Sequence, residues 1–269
     1  MIERDDLRAS VAAGILTVAQ AASLISLADS RRGARDNLEP GDEPCELFKG
    51  FNEIFIVVGL AILTTGWVGI VTFLALDNAT RLAQVLIWSS LAGAVILWLL
   101  AEYFVRRRRM VAPAIALTLL FAGNAAYGFS GAMAEVFMVA RGDNSSLPLP
   151  LTYATAALLV FWWRFRVPFA LAVIALAAFA ISILIAANTA GAPESTRELF
   201  LLSADGPFAL ITLGLGVVVF VAAMAFDMSD PHRVTRRAAN GFWLHVIAAP
   251  ALVNTIALSL LNSDASGSV

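Results

Sequence analysis

The sequence predicts an all-α membrane protein with seven transmembrane helices. The amino terminus is expected in the cytoplasm and the carboxyl terminus outside, with a small cytoplasmic helix pair ahead of the first span. Three observations lead there. The 269 residues are 59% hydrophobic and only 14% charged, with a mean hydropathy of +0.81, whereas soluble domains run at about 45–50% apolar and 25% charged. Seven apolar runs approach the roughly 20 residues that a helix rising 1.5 Å per residue needs to cross hydrocarbon. The cations fall between those runs in a strongly uneven way.

Residues 1–30 read as the cytoplasmic helix pair. Asp5 and Asp6 open a short helix that Gly14 can end, and Thr17 with Gln20 three residues later forms a capping-box pattern for a second helix to about Ala28. Leu7, Val11, Leu24 and Leu27 form a seam between the two. Chains below about 40 residues rarely bury enough apolar surface to fold alone, so the pair is expected to dock on the membrane domain or on a partner. Residues 31–49, with Gly33, Pro40, Gly41 and Pro44, read as a linker.

The membrane domain is expected over 50–262, with spans at about 54–76, 82–105, 111–130, 147–163, 167–187, 207–226 and 241–261, and an outer polar tail at 263–269. The fourth span is the shortest, and it opens with Pro148 and Pro150, which suit a helix start rather than its interior. A break is expected near Gly128 to Gly131, with residues 131–146 lying along the outer interface. Pro250 is expected to kink the last span and free a backbone carbonyl. Ala61, Thr65 and Gly69, at i, i+4 spacing, read as close helix packing.

Arg106, Arg107, Arg108 and Arg109 separate the second and third runs and anchor the topology. Lys and Arg favour the cytoplasmic side of short loops. Seven spans place fifteen of the 18 Lys and Arg inside, leaving only Arg81, Arg141 and Arg197 outside; removing the fourth span spoils this asymmetry. Trp162 and Trp163 beside Arg164, and Phe242 and Trp243 after the last basic loop, fit aromatic anchors at the same interface.

Several function classes have no support. The basic residues follow membrane sides rather than forming a nucleic-acid patch. Cys45 is the single cysteine, which removes internal disulfides and Cys-based zinc clusters, and His232 with His245 are too few for a zinc site. No Gly-rich phosphate loop appears, the last span has no lysine for retinal, and no cofactor is expected. Charged residues from Glu3 to Arg8 interrupt any signal-peptide core, so the first span is expected to direct its own insertion. Arginine outnumbers lysine 17 to 1 and alanine is abundant, a bias that suggests a bacterial source and an inner-membrane location.

Polar groups in hydrocarbon are costly, which makes each one a candidate site. Toward the inner face lie Glu53, Glu102, Asp227 and His245; toward the outer half lie Asn124, Tyr127 and Asn254. Glu102 is expected to pair with Arg106 at i, i+4, and Glu53 to sit near Lys49. Imidazole changes charge nearest neutral pH, with Glu53 or Glu102 as the alternative holders of its proton, but His245 is expected first to hydrogen-bond a neighbouring helix. Asn124 and Asn254 are expected to bond across helix interfaces.

Gly128, Phe129, Ser130 and Gly131 spell a GxSG that resembles the nucleophile motif of rhomboid intramembrane proteases. Such a serine needs a histidine at about 3 Å. Ser130 stands roughly 28 Å above the inner boundary and His245 roughly 6 Å, which separates them. The run from Asp6 to Ala28, including Gly14, Ile15, Leu16, Thr17, Gln20 and Ala21, resembles the start of the bacterial membrane family DUF2157. Phe242, Trp243, Leu244, His245, Ala248, Ala249 and Pro250 resemble a segment of other bacterial membrane proteins. The resemblance implies a multi-pass protein and no particular activity.

Two readings of function follow. One is a non-enzymatic accessory or regulatory membrane subunit, with the lipid bilayer and a protein partner as its contacts through the arm, basic loops or bundle surface. The other is a small proton or solute permease using His245, Asn254 and Asn124. An intramembrane serine protease is a remote third.

Overall fold

A computed structural model describes residues 4–36, 51–78, 81–135, 139–193, 195–204, 206–231 and 235–266. Cys45, Lys49, His232 and most of the expected linker lie outside these residues. The described residues form helices and connecting turns, without a strand.

The arm comprises α1 (Arg4–Ala12) and α2 (Val18–Asp36). Gly14 adopts φ +71°, the left-handed conformation that lets a chain leave a helix sharply. Thr17 and Gln20 exchange both capping bonds: Thr17 N donates to Gln20 Oε1 at 2.9 Å, and Gln20 N to Thr17 Oγ1 at 3.2 Å. The second helix continues through Asp36, so the first six residues expected in the linker are helical. Ala21 is buried, whereas Leu24 and Leu27 remain largely exposed, and the expected seam is only half closed.

The bundle consists of α3 (Phe51–Asp77), α4 (Leu82–Ala101), α5 (Val111–Met133), α6 (Pro148–Phe165), α7 (Pro168–Ala190), α8 (Phe208–Ser229) and α9 (Arg236–Ser266). Six of these, all but α6, are long and apolar enough to cross a membrane. The chain is therefore built as a multi-pass helical membrane protein. The shorter α6 has 18 residues, starts on a proline as expected and packs between α5 and α7. The last helix begins five residues before the expected span and takes in the first four residues of the expected tail.

A π-helical turn, Glu102–Arg107, extends α4 into the arginine run, with Arg108 N donating to Tyr103 O at 3.0 Å. The α4–α5 and α6–α7 connections then turn on Arg109 and Arg166, each at φ +53°. Extended Met110 and Val167 lead into the next helix.

Two packed cores result. Trp98, Phe121, Phe161 and Phe165 fill the first, between α4, α5 and α6; the rings of Phe121 and Phe161 stack at 4.8 Å and those of Trp98 and Phe165 meet edge-on at 5.0 Å. The second is finer-grained: Ala175, Phe179, Val219, Ala223, Leu244, Ala248 and Ala251 join α7, α8 and α9. Small side chains there let α8 and α9 approach closely. A Cβ on Gly216 would meet Leu252 at 3.0 Å.

Two expectations need correction. The third span does not break at Gly128 to Gly131, because α5 continues to Met133 and ends at extended Ala134. Those glycines instead let α4 close in: a Cβ on Gly128 would lie 1.9 Å from Ser90 Oγ, and one on Gly131 would lie 2.6 Å from Leu86 Cβ. The Ala61, Thr65 and Gly69 line is exposed rather than packed within this chain. Thr65 turns its hydroxyl onto its own helix, donating to Ala61 O at 2.9 Å.

Candidate functional site

Several polar side chains of the bundle are held in small, separate sets that bridge two helices. At the ends of α8 and α9, His245 Nε2 lies 3.0 Å from Asp227 Oδ2, with both side chains mostly buried. Gly241, one turn before His245 on α9, makes room for this carboxylate, since a Cβ there would sit 2.5 Å from Asp227 Oδ1. The Phe220 ring meets the imidazole edge-on at 5.5 Å. The histidine thus bonds a neighbouring helix as expected, and its partner there is Asp227 rather than Glu53 or Glu102. Sequence carried a signal for this: Asp227 ends one span and His245 begins the next, at equal depth on either side of a single loop.

Glu102 receives Arg106 at 3.2 Å, the expected i, i+4 pair, and Arg164 of the α6 end at 2.6 Å. Partial exposure keeps each such contact weak, but the two together tie the arginine run to the next hairpin. Arg108 donates through Nε and Nη2 to Tyr103 Oη, at 3.2 and 3.1 Å.

Glu53 is almost fully buried, and its Oε2 accepts the Ala112 N–H at 2.9 Å. The first N–H groups of a helix lack intrahelical acceptors, and an acidic side chain there also meets the positive end of the helix dipole. Glu53 therefore caps α5 from α3. Its expected neighbour Lys49 is outside the described residues.

In the far half, Asn124 Nδ2 donates to Ser90 O at 2.9 Å and Ser90 Oγ donates to Asn124 O at 3.1 Å. Gly93 is required beside them, because a Cβ would fall 2.5 Å from Asn124 Oδ1. Tyr127 and Asn124 line a groove of about 810 Å³ between α3, α4 and α5, with Trp67 and Val71 opposite. Asn254 does not join this set; it is exposed on α9 beside exposed Val253 and Ile256. Thr255 next to it is buried and bonds Ala251 O at 2.6 Å. His245, Asn124 and Asn254 thus engage different surroundings, and no hydrogen bond among the described residues links any two.

The GxSG run has a structural use that differs from catalysis. Its two glycines are the contact points for α4, and no described hydrogen bond joins Ser130 to a histidine. Among the described residues no group of three or more His, Cys, Asp or Glu side chains is placed to hold a metal ion. Compared with protein families, curated proteins and solved structures, the chain matches no family model, no curated protein and no solved structure.

Proposed function

We propose that this chain is a non-enzymatic accessory or regulatory subunit of a bacterial inner membrane, crossing seven times with α1, α2 and Arg106–Arg109 in the cytoplasm. Counting α6 as a crossing helix keeps most Lys and Arg on one side, which supports this topology. The observation that carries the functional reading is Asn254. It presents an amide on the outer face of an apolar helix, about 20 Å along from Gly241. An amide facing hydrocarbon gains from a hydrogen bond to a neighbouring helix. The exposed Ala61, Thr65 and Gly69 line and the uncovered Leu24 and Leu27 of the arm offer further contact surface. A photo-crosslinking residue at position 254 is expected to capture a helix of another membrane protein in native membranes, and Asn254→Leu to reduce co-purification of that protein. Crosslinks to lipid alone would refute the reading.

A second reading, a small proton or solute permease, is favoured by the His245–Asp227 pair, because an imidazole facing a carboxylate between two helices can pass a proton. pH-dependent flux in liposomes that is lost in His245→Ala is the result it requires.

A further inference from the structure

A hollow of about 280 Å³ lies where α5, α7 and α9 begin, with Arg109, Arg166 and Arg236 on its walls and Ile115, Phe169 and Phe242 among its apolar lining. Three independent features make it a site for an anion. First, Arg109 and Arg166 are the non-glycine residues with positive φ among the described residues, both at +53°. That conformation disfavours an L side chain and suits glycine, yet arginine stands at both positions and both line the same hollow. Strained backbone of this kind concentrates where a side chain is used. Second, Val111, Pro168 and Arg236 are the first residues of helices of 23, 23 and 31 residues. The hollow therefore lies at three positive helix ends, whose caps are partial: Glu53 takes the Ala112 N–H of α5 and Thr235 Oγ1 the Arg237 N–H of α9. Third, Arg236 Nε is buried without a hydrogen-bond partner among the described residues. The nearby Glu102 carboxylate is taken by Arg106 and Arg164.

The rest of the wall is hydrocarbon-like, and Phe242 opens it to the bundle surface, where it is 57% exposed. Phe169 stacks edge-on against Trp243 at 4.8 Å and floors the apolar side. A free inorganic ion would gain nothing from these surfaces, whereas an amphiphile uses both. We propose that this hollow binds one anionic glycerophospholipid, its phosphate held by Arg109, Arg166 and Arg236 and an acyl chain running out over Phe169 and Phe242. The site requires that the chain sits in a bilayer, and it stands independently of any protein partner.

The test uses the full-length protein in mild detergent, followed by native mass spectrometry with phosphatidylglycerol and phosphatidylcholine of matched chains, each with and without millimolar inorganic phosphate. Phosphatidylglycerol should be retained at least about tenfold better, with roughly a fivefold loss for each arginine removed in Arg109→Gly/Arg166→Gly. Because glycine relaxes φ +53°, that double variant should melt in phosphatidylcholine no lower than the parent. Arg236→Gln supplies the same test without touching either turn. Equal retention of the two lipids, or unchanged selectivity in either variant, overturns the proposal. Displacement of the lipid by millimolar phosphate also overturns it, in favour of a small-anion site.

Discussion

Gly128 and His245 show how single residues set this bundle's contacts. A methyl group at Gly128 would collide with Ser90 Oγ and Cβ, so Gly128→Ala should cost about 1–3 kcal/mol in the overpacked α4–α5 interface. The second change Ser90→Gly should restore much of it. Ser130→Ala, two residues from that contact, should leave thermal unfolding in detergent nearly unchanged. A pattern in which Ser130→Ala removed an activity and Gly128→Ala did not would return the GxSG to catalysis. For the His245–Asp227 contact, the double-mutant cycle of His245→Ala and Asp227→Asn should give a coupling of about 0.5–3 kcal/mol, read from unfolding of the purified protein. Zero coupling would mean that the 3.0 Å approach does not stabilise the fold. Sequence made His245, Glu53 and Asn124 visible because polar atoms stand out in apolar runs. It left their partners open, since Asp227, the Ala112 N–H and Ser90 become neighbours only through helix rotation, which an almost uniformly apolar span encodes weakly.

At the level of elements, the starts and ends of helices carry most of the specific information. The Thr17–Gln20 box, Gly14 and the proline opening of α6 are all short-range signals, and each appears in the structure where the residues call for it. Gly128 and Gly131 are ambiguous for an equally physical reason: glycine serves both chain breaks and close helix contact, and only the presence of α4 decides between them. The same holds for α5, whose cap comes from another helix rather than from its own Met110. Glu53→Ala should therefore destabilise by about 1 kcal/mol or more, and hydrogen exchange should rise first at the amides of Ala112 and its neighbours. Uniform exchange changes along α3 instead would show that Glu53 acts on its own helix.

For the whole molecule, the multi-pass helical class was legible from composition and run length, because bilayer thickness fixes helix length directly. The helix order followed too, within a few residues at most ends. Which helices share a core did not, since alanine, leucine and valine fill lipid-facing and buried positions alike. A reporter fused after Arg109 or after Arg166 should read cytoplasmic, and one fused in the loop at Asn144 should read external. Opposite sides for the Arg109 and Arg166 fusions would mean that α6 does not cross.

The Glu53 cap has a mechanical consequence for α3. Its lower half is fixed to the core through Glu53, Ile56 and Leu60, while its upper half, from Ile62 to Leu76, stands over the wide groove facing α4 and α5. Fixed below and flanked by open volume above, α3 is expected to tilt about Glu53, with the larger displacement toward Leu76 and little at Trp98, Phe121 and Phe161.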